Sequence, residues 1–201
     1  VTTKHLKPKF SIIVVDSDRH TPREAARRGI DSILAQTFRD FEVIFVHNGL
    51  KELPYEEEFD LSALEQVKTV YIKERFNDWG NTSRHYGSRV AGGEYFLFFN
   101  IDNLLYPTCL ERVNEFLLKD NVRKEMVIFT IIHNKNAERI LTGNPVLFQH
   151  IDCLQVVASR QAWESIGFWD RYEYEADAHL FLELSAKNTP FYIEEILAEN
   201  F

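Results

Sequence analysis

The sequence predicts an α/β fold on a largely parallel central sheet, and two observations carry that expectation. Through the first half, short and almost wholly apolar runs rich in β-branched and aromatic residues alternate with segments of helical period. Each run also stops abruptly in small polar side chains, as strands buried on both faces do at the carboxyl edge of a sheet, where ligands of open α/β folds bind. The second half loses this rhythm. A mixed sheet with one or more antiparallel strands and an irregular second region is therefore expected, with right-handed crossovers in the first part.

Phe10 to Val15 is the first strand, running into Asp16-Ser17-Asp18-Arg19. Thr21-Pro22 opens a helix whose small and apolar residues Ala25, Ala26, Ile30, Ile33 and Leu34 recur at helical spacing as far as Gln36. Phe41 to Val46 gives a second strand, ending at His47-Asn48-Gly49. The acidic, proline-containing stretch from Lys51 to Asp60 reads as a loop, with a short helix from Leu61 to Gln66 and a third strand from Val67 to Ile72. A polar turn at Asn77 to Asn81 leads into a helix over Thr82 to Val90. Gly87 and Ala91 suit its close packing, and Gly92-Gly93 ends it.

Tyr95 to Phe99 follows as the most completely apolar strand and ends in Asn100-Ile101-Asp102-Asn103. If extended geometry persists, Asn100 and Asp102 project to one side and a hard divalent cation can take oxygens from both; an ordinary strand-end turn is the alternative. Helical spacing returns over Pro107 to Leu118. Met126 to Ile132 is a further strand, His133 to Gly143 a hairpin or loop, and Val146 to Phe148 and Leu154 to Ala158 two short strands. Helices are expected at Arg160 to Ile166 and His179 to Ala186, and a last strand at Phe191 to Leu197.

At 201 residues the chain fits one domain, and 45% hydrophobic content suits a globular core. A net charge of −8 argues against a nucleic-acid groove, which needs clustered Lys and Arg. No apolar run approaches the roughly 18 residues of a membrane span, and the basic, polar start carries no signal region, so a soluble, cytoplasmic protein is expected. The opening Val1 leaves open that the domain was cut from a longer polypeptide. Cys109 and Cys153 lack metal-type spacing and are expected as two buried thiols rather than a bridge.

Five separated pieces, in order, carry a family resemblance: Phe10 to Arg19, Ser32 to Ile44 with its Ser-Ile-Leu-Ala-Gln-Thr core, Ser83 to Gly87, Ala91-Gly92-Gly93-Glu94-Tyr95, and Gly167-Phe168-Trp169-Asp170. Together the chain resembles the glycosyltransferases of the A-type (GT-A) fold, closest to family 2, and less closely the small glycosyltransferase domains of large algal viruses, for which the host cytoplasm would be the location. The resemblance implies a three-layer α/β/α domain, with residues 1–103 as a nucleotide-sugar-binding half and 104–201 as an acceptor-binding half. It implies metal-dependent transfer of a hexosyl or deoxyhexosyl group from a nucleotide diphosphate donor, UDP above all, with Mn2+ or Mg2+, to a hydroxyl of a glycan, protein or lipid, with inversion, although the incomplete base motif leaves retention open.

By the same resemblance Asp16 and Asp18 lie where the nucleotide is held, although Asp18 equally suits a helix cap. Asn48 stands where the family has an aspartate that reads the base; a turn at Asn48-Gly49 is the plain alternative. Arg84 matches an arginine near the donor phosphates, against the alternative of a solvated helix charge. Asn100-Ile101-Asp102 occupies the place of the metal motif with its first aspartate replaced, leaving Asp102 as the direct ligand and Asn100 for ribose or metal-bound water. Asp177, with Glu175 beside it, matches the general base, although Ala176 replaces the expected glutamate; a carboxylate favouring the following helix is the alternative. His150, and with it His179, are candidates to complete the metal shell. Trp169, Tyr172 and Tyr174 could form a floor for sugar stacking, with core packing as the alternative for Trp169 in particular.

Two rival functions remain at this point. A sugar-nucleotide nucleotidyltransferase needs a glycine-rich loop after the first strand, which Asp16 to His20 lacks. A catalytically inactive glycan- or partner-binding domain is favoured by the two substitutions in the motifs.

Overall fold

A computed structural model describes residues 7–16, 21–49, 54–61, 63–133 and 139–201. The elements in order are β1 (Phe10–Asp16), α1 (Arg23–Leu34), β2 (Phe41–Asn48), α2 (Tyr55–Glu58), β3 (Val67–Ile72), α3 (Asn81–Val90), β4 (Tyr95–Asn100), β5 (Leu104–Leu105), α4 (Cys109–Leu118), β6 (Met126–His133), β7 (Arg139–Leu141), β8 (Val156–Ser159), α5 (Arg160–Ser165), α6 (Ala176–Lys187) and β9 (Pro190–Asn200). The strands form one sheet in the order β3-β2-β1-β4-β8-β6-β9-β5, with β7 paired to β6. β1, β2, β3 and β4 are mutually parallel, β8 runs antiparallel between β4 and β6, and β9 returns parallel to β6. Both the parallel first half and the expected antiparallel insertion are present.

Alternate residues of each central strand face opposite cores. Ile12, Val14, Val43, Phe45, Leu97 and Phe99 join α1 and α4 residues on one side. Ile13, Ile44, Val46, Phe96 and Phe98 join Trp163 of α5 and Leu180, Phe181 and Leu184 of α6 on the other. Two apolar faces need two covers, and the result is helix, sheet, helix. Gly87 lets α3 press onto the second face: a Cβ there would lie 2.4 Å from Ile13 Cγ2. Cys109 and Cys153 are free, buried thiols.

Several local expectations change. The short helix lies at Tyr55–Glu58, directly after Pro54, and not at 61–66, because proline pre-sets the first helical turn. Residues 146–148 form no strand, and Leu154 belongs to a 3-10 turn at Cys153–Gln155 before β8. That turn is held by a reciprocal pair of bonds: Asp152 accepts from the Leu154 N–H at 2.8 Å, and Gln155 accepts from the Asp152 N–H at 3.0 Å. The strand pair β5–β9 was not expected, since two residues carry no period. Extended geometry also ends at Asn100: the Asn103 N–H donates to the Asn100 carbonyl at 2.9 Å, so Asp102 sits in a turn and the same-side argument for the two residues does not hold.

Candidate active site

Register places the strand ends side by side. Val15 pairs with Asn100, Asp16 with His47, and Asn48 with Ile72, so the polar residues that end the three apolar strands β1, β2 and β4 share one edge. Asp16 is fully buried, with a carboxylate oxygen 3.5 Å from His47 Nδ1, and His47 in turn stacks on Tyr71. The Asn48 amide binds the backbone of Phe76 in both directions, donating to its carbonyl at 2.6 Å and accepting from its N–H at 2.8 Å. This pins the segment after β3 across the edge and leaves one amide hydrogen and one oxygen lone pair for a ligand. Asp18 lies outside the described residues.

Arg84 is the centre of the arrangement. Only 6% exposed, it is no solvated helix charge. Its guanidinium donates to the Trp79 carbonyl at 2.8 Å and to Asn100 Oδ1 at 2.7 Å, touches Cys153 Sγ at 3.7 Å, and lies 5.0 Å over the Trp169 ring. Gly80, in the left-handed region at φ 82°, makes this possible, since a Cβ there would come within 2.5 Å of Val15 Cγ1 and 3.2 Å of Arg84 Nη1. Arg84 Nε is buried and has no partner among the described residues.

Asn81, at the start of α3, ties in the second half of the chain. Its amide accepts from Trp169 Nε1 at 3.0 Å and donates to the Glu173 carbonyl at 2.9 Å, while His85 Nδ1 lies 2.7 Å from the Trp169 carbonyl. Trp169 is therefore a buried packing residue and not part of a sugar-binding floor, whereas Tyr172 and Tyr174 are exposed. The same clamp brings the start of α6 to Arg84. Asp177 accepts from the Ala178 N–H at 2.8 Å, a bond that favours the helix start. Burial pushes its carboxyl above the ordinary value, the charge of Asp152 adds to this, and the Ala178 bond and Arg84 oppose it. The Cys153 thiol is pushed up to about 12, first by burial and then by Asp152, so it stays protonated.

Glu175 is exposed at the N-cap of α6 and makes no side-chain cap bond. His150 is exposed, and His179 packs edge-on against Phe148 at 4.9 Å. Among the described residues no three His, Cys, Asp or Glu side chains converge on a metal position. The donor set nevertheless suits a cation shared with a ligand. Asp102 is half-buried in its turn, its carboxylate makes no hydrogen bond among the described residues, and magnesium-type ions often take one or two carboxylates and complete their shell with substrate phosphates. Asn100 has its side-chain oxygen held by Arg84.

Asp152 escaped the sequence reading. Its other oxygen accepts from Asn200 Nδ2 at 2.9 Å, joining the end of β9 to the cluster. The signal was present in the Asp-x-x-Gln spacing of residues 152–155, which marks a capped turn. A cavity of about 980 Å3 lies between α1, α2 and β5, and it adjoins the turn after β4, since Arg28 of its lining donates to the Asp102 carbonyl at 3.1 Å. Its charged lining is largely self-paired, Arg27 with Asp31 at 2.9 Å and Arg23 with Glu58, so the strand ends are the better candidate.

The sequence model of glycosyl transferase family 2 matches residues 11–150, more than half of the chain. The chain belongs to that family. An uncharacterized glycosyltransferase of Rickettsia bellii is 33% identical over 101 residues, which are 50% of this chain and 14% of the relative. Among solved structures, S. aureus TarS 1-349 in complex with UDP-GlcNAc is similar with a TM-score of 0.76 at 13% identity, covering 95% of this chain and 58% of that one. The mannosyltransferase PcManGT of Pyrobaculum calidifontis, in complex with GDP-Man and Mn2+, gives a TM-score of 0.70 at 13% identity over 98% of this chain and 57% of that one. The family 2 domain thus has the GT-A fold and spans well under two thirds of each of these proteins. None of its helices is long and apolar enough to cross a membrane among the described residues.

Proposed function

We propose that this family 2 domain transfers a sugar from a nucleotide diphosphate, UDP before GDP, to a hydroxyl of a glycan, protein or lipid acceptor, with inversion at the anomeric carbon. The observation that carries the reading is the buried Arg84, which joins the end of β4 to the neighbourhood of Asp177. A guanidinium held between two fixed acceptors is a preorganised positive charge for a diphosphate, and the strand-end oxygens beside it suit the hydroxyls and N–H groups of a nucleoside. The UDP-GlcNAc of one similar structure supports the choice of donor.

In the reaction the acceptor oxygen bonds to the anomeric carbon as the bond from that carbon to the diphosphate oxygen breaks, and the nucleotide diphosphate leaves with the electron pair. Asp177 takes the acceptor proton. One of its oxygens is engaged by the Ala178 N–H, the other is left for the hydroxyl, and a carboxyl above its usual range is a better proton acceptor. Arg84 offsets charge on the departing group, and Asp102 would hold the Mn2+ or Mg2+. A divalent ion bound there supplies charge neutralisation for the leaving diphosphate.

The test is the melting temperature with UDP and manganese. UDP with the metal should raise it, because binding to the folded state alone stabilises by mass action, and purine nucleotides should raise it less. Asp102→Ala should lose the metal-dependent part of the shift, and Asn100→Asp should keep or strengthen it. No shift with any nucleotide at millimolar concentration would sink the proposal.

A further inference from the structure

Trp79 combines two features that fold stability does not favour. Its backbone is left-handed at φ 56°, uncommon for a bulky side chain, and its indole is 58% exposed although Trp163 and Trp169, the other tryptophans of the chain, are fully buried. Backbone strain of this kind concentrates at functional sites. The Tyr174 ring, 70% exposed, meets the indole edge-on with centroids 5.2 Å apart. The two rings come from different halves of the chain and are held at the candidate site from below. The Trp79 carbonyl is an acceptor of Arg84, Tyr174 follows the Glu173 carbonyl bound by Asn81, and Asp177 lies three residues beyond.

We infer that Trp79 and Tyr174 form a platform for a sugar ring of the acceptor, which makes the acceptor a glycan and rests on the glycosyl-transfer reading above. An exposed, ordered aromatic corner matches the C–H face of a pyranose, which offers apolar area without charge. A protein acceptor's flexible side chain gains less from two fixed rings. The Trp79 carbonyl is bound by Arg84 and Tyr174 precedes Asp177 by three residues, so the two rings are tied through the backbone to both groups of the proposed reaction.

Trp79 is the accessible fluorophore, so iodide quenching of tryptophan emission reports on it directly. The probes are chitotriose, cellotriose, mannotriose and galactotriose, added to the protein with and without UDP and manganese. At least one trisaccharide should shield Trp79 saturably, and Tyr174→Ala should weaken its apparent affinity by about tenfold, the scale of one aromatic contact. Trp79→Asn, which tolerates the left-handed backbone, should keep or raise the melting temperature and retain the UDP-induced rise, while transfer to the shielding glycan shows a higher KM with little change in kcat. The inference is overturned if no trisaccharide shields Trp79, if UDP alone shields it as well, or if iodide cannot reach Trp79 in the free protein. Loss of the UDP-induced melting shift in the parent protein would instead remove the glycosyl-transfer reading itself.

Discussion

Replacing Asp177 by Asn removes a proton acceptor and little else. Burial holds the parent carboxyl above its ordinary value, with the Asp152 charge adding and the Ala178 N–H and Arg84 opposing. A carboxyl whose folded-state value is raised binds its proton more tightly in the folded protein, so stability is greatest while it is protonated and declines as pH rises from the unfolded value through the folded one. Above the raised folded value the parent carries that full cost, and asparagine does not. Asparagine can still accept from the Ala178 N–H, and losing a negative charge in the first turn of α6 costs about 0.3–1 kcal/mol. The two effects oppose, so Asp177→Asn should melt at or above the parent near neutral pH, and its advantage should shrink toward about pH 4. Transfer should fall about 10²–10⁴-fold, the range for a lost general base, with UDP affinity nearly unchanged. Both readouts come from one preparation: a pH series of thermal unfolding, and transfer kinetics. Near-parental turnover would refute the assignment and move suspicion to Glu175, and a melting temperature that falls most at neutral pH would refute the electrostatics.

Arg84→Lys cannot reach the Trp79 carbonyl and Asn100 Oδ1 with one planar fork, so it should cost about 2–4 kcal/mol in urea unfolding and weaken UDP at least about tenfold by calorimetry. At the opposite edge of the sheet, Glu42 accepts from Ser11 Oγ at 2.6 Å, from the Gly92 and Gly93 N–H groups, and from Lys68. Burial raises its carboxyl, but Lys68, Ser11 and Gly92 outweigh that and hold it below the usual range. Its stabilisation is then present above the unfolded value of 4.5 and lost as pH falls through the lower folded one. Glu42→Gln should flatten the acid limb of the stability curve and cost about 1–3 kcal/mol at neutral pH. Gly87→Val should destabilise by about 2 kcal/mol or more in denaturant unfolding, since its Cβ would meet Ile13 at 2.4 Å.

The central strands were legible because burial on both faces leaves an unbroken apolar run, as in Phe10 to Val15 and Tyr95 to Phe99. Arg84 and Asp177 were found by their place in a sequence pattern, yet their connection was not, because Asn81 and Trp169 make it across 88 residues of chain. Trp169 and Trp79 show the limit well. Both are aromatic residues near polar ones, and only the bond from Trp169 Nε1 to Asn81 and the left-handed backbone of Trp79 tell the buried one from the exposed one. The turn at Asn100 to Asn103 was open to either reading, since Asn and Asp serve turns and ligands alike. β5 was missed because its two residues gain their strand geometry from β9 alone.

The most direct test of the strand-end site is a crystal of the protein soaked with UDP and manganese, examined at the manganese absorption edge. The diphosphate should lie beside Arg84, the nucleoside over the ends of β1 and β2, and an anomalous peak within bonding distance of the Asp102 carboxylate. Nucleotide density in the arginine-lined cavity between α1 and α2, or a manganese peak remote from Asp102, would contradict the account.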